Sequence, residues 1–131
     1  MCEQDRNEIG KINWTDLTVA DADGVREFYA QVVGWTVKSH DMGEYQDYEM
    51  QSPDSGQTRA GICHARGLNA DIPPQWLVYI NVADLAASMA RCTEMGGRIL
   101  APERDLGSGK MGVIQDPAGA VAALWEPVGS P

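Results

Sequence analysis

Positive charge is scarce in this chain and nowhere clustered. Ten Lys and Arg stand against nineteen Asp and Glu in 131 residues, a formal charge of −9. Nucleic acids and anionic membrane surfaces are bound through a basic footprint that neutralises phosphate, so the sequence excludes both as partners. Cysteine is sparse as well: Cys2, Cys63 and Cys92 are odd in number and form no CxxC pair. A secreted disulfide framework is therefore not expected, and reduced thiols in a cytoplasm are the simpler reading. No apolar run is long enough to span a bilayer. The opening residues, MCEQDRNEIGK, lack the apolar stretch of a secretory signal, which again points to the cytoplasm. There is also no GxSxG elbow, no P-loop and no GxGxxG between a strand and a helix. The Gly107-Ser108-Gly109 stretch reads as a flexible loop. With 44% apolar residues, the chain suits one compact domain over residues 1–131.

Within that domain, Lys11–Val19 alternates with a period of two and reads as a strand. Asp21 then precedes Val25, Phe28, Tyr29, Val32 and Val33, the i, i+3, i+4, i+7, i+8 stripe of an amphipathic helix. Asp21 is its expected N-cap and Gly34 its stop. Strands are expected at Trp35–Ser39, Tyr45–Gln51 and Thr58–Cys63, separated by turn clusters at residues 40–43 and 53–56. His40 falls in the first of these turns, as an exposed loop residue. A polar linker over residues 65–74 divides this module, about residues 11–64, from a second at about 75–127.

The second module repeats the order. Trp76–Val82 reads as a strand, Asp84 as an N-cap, and Leu85, Met89, Cys92 and Met95 as a helix stripe ended by Gly96-Gly97. Strands at Arg98–Ala101, Lys110–Gln115 and Ala120–Glu126 follow, with the turn Asp116-Pro117-Ala118-Gly119 between the last two. An ungapped offset of 63 residues lays Val19 on Val82, Asp21 on Asp84, Gly34 on Gly97, Gly56 on Gly119 and Ala60 on Ala123. This is an internal repeat of a βαβββ module.

Phe28-Tyr29 before Val33-Gly34-Trp35, Asp84-Leu85, Gly96-Gly97 and the Asp116–Gly119 turn before a closing strand carry a resemblance. In this order and spacing, the chain resembles the vicinal oxygen chelate superfamily of glyoxalases, bleomycin-resistance proteins and extradiol dioxygenases. The resemblance covers about Lys11 to Pro127. It implies an α+β fold in which two βαβββ modules form paired half-barrels of mixed sheet around a cleft that holds a ligand. It also implies a homodimer. Catalytic members bind a divalent metal seven residues before each capping Asp and seven after the Asp of the Asp-Pro turn. Those places are Trp14, Leu77 and Ala123 here, with Ala60 as the repeat-related fourth, and none can ligate a metal. His64 beside Cys63 does not replace them, because adjacent strand residues point to opposite faces.

No cofactor and no metal are therefore expected. The candidate ligand-binding residues share the strand face of the vacated metal places: Trp14 and Asp16 on the first strand, Leu77 and Tyr79 on its repeat mate, and Trp125, Cys63 and Tyr48 facing the same space. Aromatic and apolar walls with one carboxylate and one phenol suit a mostly apolar or aromatic small molecule. The expected function is metal-free binding of such a ligand, with no catalytic residue assigned. The competing expectation is a glyoxalase- or dioxygenase-like metal-dependent lyase, isomerase or oxygenase. A third is a ferredoxin-like dimeric barrel without the duplicated cleft.

Overall fold

The computed structural model describes residues 7–128, the side chain of Leu68 excepted. Cys2 lies outside the described residues. The fold is α+β, with eight strands and two α-helices among them. The chain divides into two compact units, one Thr15–Trp76, the other the residues up to Trp14 together with those from Leu77 onward.

The first unit has the strands β1 (Ile12–Val19, from Thr15 on), β2 (Thr36–Asp41), β3 (Gln46–Gln51) and β4 (Thr58–His64), with helix α1 (Ala22–Val33) between β1 and β2. Their order across the sheet is β2-β3-β4-β1, antiparallel except for the parallel β1–β4 pair. As the sequence predicts, Asp21 caps α1, its Oδ1 accepting from the Gly24 N–H at 3.0 Å. Gly34 ends the helix with φ 92°, a left-handed conformation that costs glycine nothing. The core of the unit is Leu17, Ala22, Tyr48, Met50 and Ile62, with Val25, Tyr29, Trp35 and Trp76 packed against it. Not all of the predicted helix stripe is buried: Phe28 and Val32 are 57% and 64% exposed, because they lie on the flank of α1 rather than over the sheet. The turn predicted at residues 40–43 starts later, and His40 belongs to β2, opposite Asp47.

The second unit carries β5 (Trp76–Asn81), β6 (Arg98–Asp105), β7 (Gly109–Gln115) and β8 (Val121–Pro127), with α2 (Leu85–Glu94) after β5. The order is β5-β8-β7-β6, with β5 and β8 parallel. Asp84 caps α2 by accepting from the Ala87 N–H at 3.1 Å. Leu85, Met89 and Leu124 form the core under the helix. β6 runs four residues beyond the predicted Ala101, through Pro102. It is an edge strand whose register with β7 shifts twice, and a proline is tolerated at such an edge. Asn81 is buried and ties down the chain before β1, accepting from the Asn13 side chain and donating to the Glu8 carbonyl at 3.2 Å.

The ungapped offset of 63 fails on one strand. Asp16 pairs with Gly61, while Tyr79, its mate on β5, pairs with Ala123. The counterpart of Ala123 is thus Gly61 and not Ala60. The slip arises between Thr58 and Ala60, where the β3–β4 register shifts and Arg59 is the extra residue. Ala60 is opposite Met50, on the face that α1 covers.

Candidate functional site

In each sheet, strand alternation separates the face under the helix from the face turned away from it. In the first unit the helix face carries Leu17, Tyr48, Met50 and Ile62. The opposite face is then read from the register in two rows: His40, Asp47, Cys63 and Thr18 in one, and Lys38, Glu49, Gly61 and Asp16 in the next. Asp16 is 8% exposed and Thr18 is buried. Gly61 leaves the middle of the second row without a side chain.

Asp16 and Cys63, predicted together, are therefore on one face. Tyr48 is not with them, which corrects the sequence reading. It is directly opposite Ile62 under α1, and its hydroxyl donates to Asp23 in the first turn of that helix. Burial, reinforced by that hydrogen bond and the charge of Asp23, raises the Tyr48 pKa and keeps the phenol neutral.

In the second unit, Leu77, Tyr79 and Asn81 alternate on the face away from α2, and Ala123 and Trp125 pair with the last two. Leu77 and Ala123 are buried. The Trp125 ring covers Gly109, whose missing side chain makes room for it. Glu126 faces the other way, as its parity predicts: its Oε1 accepts from the Leu85 N–H at the start of α2, at 2.8 Å. Trp14 is half-buried and groups with this unit, although it shares the β1 alternation of Asp16. A cavity of about 230 Å³ near the Gly107–Gly109 turn is lined by Asp105, Lys110 and Glu126 and contains none of the seven predicted residues.

Three residues that the sequence reading passed over complete these faces. Asp47 accepts from the His64 backbone N–H at 2.9 Å and from the Cys63 thiol. Glu49 accepts from the Thr58 hydroxyl and contacts His40, and these two bonds, the first the larger effect, lower its pKa. Asn81 is the third. The run Asp47-Tyr48-Glu49-Met50 alternates carboxylate with core residue, and that alternation is the signal that could have found the first two. Burial, and then the charges of Asp16 and Asp47, push the Cys63 thiol far above its ordinary range, so it is a neutral donor and not a nucleophile.

The family resemblance implies a divalent metal, and the donor set does not fit one. Trp14, Leu77, Gly61 and Ala123 offer an indole N–H that can only donate, two apolar side chains and no side chain at all. Among the described residues, no group of three or more His, Cys, Asp or Glu could hold an ion.

This two-unit arrangement matches known proteins. The family model of the Glyoxalase/Bleomycin resistance protein/Dioxygenase superfamily matches residues 11–124, and the chain belongs to that superfamily. It is 31% identical over 122 residues to "Putative glyoxylase CFP32" of Mycobacterium tuberculosis, an alignment covering 92% of this chain and 46% of that protein. It is 30% identical to the anthracycline biosynthesis protein DnrV of Streptomyces peucetius, covering 86% of this chain and 45% of that one. The chain thus spans about half the length of the curated relatives it matches. Among solved structures, a methylmalonyl-CoA epimerase in complex with methylmalonyl-CoA has the same fold, with a TM-score of 0.56 at 18% identity over 94% of this chain and 98% of that one.

Proposed function

We propose that the protein binds a small, mostly apolar or aromatic molecule without a divalent metal, on the sheet faces turned away from the helices. The observation that carries this reading is the polar side chains buried on the face away from α1, Asp16 and Thr18. Burying polar groups is costly, and a fold keeps them there where they orient a ligand among apolar walls. On the face of the first unit, Asp16 would meet a hydroxyl or amine of a ligand; on that of the second, Tyr79 would offer a phenol, with Trp14, Leu77 and Trp125 as apolar walls. Tyr48, under α1, is left out of this set.

The superfamily supports a small-molecule ligand, and the names of the similar proteins suggest two probe classes: CoA esters such as methylmalonyl-CoA, and anthracyclines. A ligand that binds only the native state raises the melting temperature, by about 2.7 kcal/mol of stability at one hundred times Kd. We expect an aromatic compound to raise the melting temperature and Asp16→Asn to diminish the rise. No shift with either class at millimolar concentration would count against the proposal. A homodimer and a cytoplasmic location belong to the same reading. The unpaired thiols Cys63 and Cys92 suit a reducing compartment. Light scattering that gives a mass of about 14 kDa over the micromolar range would remove the dimer.

A further inference from the structure

In both units the closing strand's final turnward residue reaches the start of that unit's helix. On β8 this is Glu126, whose carboxylate accepts the Leu85 N–H. On β4 it is His64, which the β1–β4 and β5–β8 registers put in the corresponding place. The His64 side chain is 12% exposed and stands between two carboxylates. Its Nδ1 is 3.4 Å from Asp47 Oδ1 on β3, and its Nε2 is 3.6 Å from Asp23 Oδ1 in the first turn of α1.

A neutral imidazole carries one N–H, so it can satisfy one of these carboxylates while its other nitrogen turns a lone pair toward the second. The imidazolium carries two N–H groups and can satisfy both. We infer that His64 is a protonation-dependent latch, adding to the hold of the Tyr48 hydroxyl on the first turn of α1 when the ring is charged and loosening that hold when the ring is neutral. The helix of the second unit has no imidazole at this place: the contact there is made by the Glu126 carboxylate, which suits a helix N-terminus.

The other groups around the ring leave this logic intact. From α1 come Asp23 and Arg26, the guanidinium of Arg26 lying over the Tyr48 ring at 4.7 Å. From β3 come Asp47 and Tyr48, the latter donating to the same Asp23 oxygen that Nε2 approaches. The Tyr45 ring meets the His64 ring edge-on at 5.2 Å and carries Arg66 at 4.2 Å, which in turn pairs with Glu44.

Amide hydrogen exchange of the full chain tests the latch. Val25 N–H bonds to the Asp21 carbonyl and Ser88 N–H to the Asp84 carbonyl, so they are matched reporters of the two first turns. Corrected for intrinsic exchange, protection of Val25 is expected to fall about two- to fivefold between about pH 5 and about pH 8, the size of a partly exposed ion pair, while that of Ser88 stays constant. His64→Gln and Asp23→Asn should each abolish the difference. Asp23 is 66% exposed, so its variant folds even where the first does not. Equal changes at Val25 and Ser88, or a full pH response in Asp23→Asn, would overturn the inference.

Discussion

At the scale of single residues, hydrogen bonding and burial set the chemistry of the face away from α1. Bonds from Thr58 and then His40 favour the charged form of Glu49 and lower its pKa below the ordinary carboxylate value of about 4.3. The stability this contributes is present above that ordinary value and is lost as pH falls through the lower folded value. Glu49→Gln is therefore expected to flatten the acid limb of stability against pH, read from urea midpoints. An unchanged acid limb would show that these bonds contribute nothing. Cys63 responds in the other direction: its thiol stays protonated near neutral pH, so iodoacetamide should label it slowly in the folded protein and quickly after unfolding. Rapid labelling of the native chain, located by peptide mass, would contradict that. Asp16 and Cys63 were legible from strand alternation alone. Tyr48 was not, because the parity of β3 relative to β1 is fixed through their shared neighbour β4, and a sequence does not print a pairing register.

At the scale of elements, caps and turns were the most legible features, since they rest on local chemistry. Asp21, Gly34 and Asp84 are where the sequence puts them. Replacing Gly34 by Ala forces a Cβ into a left-handed conformation and should cost about 1 kcal/mol of stability, visible in the denaturant midpoint. Gly109 is a different case, since the constraint there is space: a Cβ would enter the Trp125 ring. Gly109→Ala is expected to cost about 1–3 kcal/mol and to shift the tryptophan emission by displacing that ring. Unchanged emission would mean that Trp125 does not rest on Gly109. The Arg59 bulge was hidden from the sequence for the opposite reason. One inserted residue leaves composition and turn signals untouched, yet it moves the repeat-related metal place from Ala60 to Gly61. The extension of β6 through Pro102 was also hidden, because an edge position tolerates what an interior strand forbids.

At the scale of the whole molecule, the order strand, helix, three strands was readable twice over, and with it the superfamily. Alternation places Asp16, but the sequence could not show that Thr18 is buried in the neighbouring row of the same face, and these two carry the proposed function. The central claim is that this member of a superfamily with metal-binding enzymes works without the metal, because Trp14, Gly61, Leu77 and Ala123 stand where ligating side chains would be needed. Elemental analysis of the protein purified from cells grown with added zinc, nickel, manganese and iron measures this directly. The account predicts far less than one equivalent of any of them per chain. About one equivalent, removed by a chelator together with a lyase, isomerase or oxygenase activity, would contradict it.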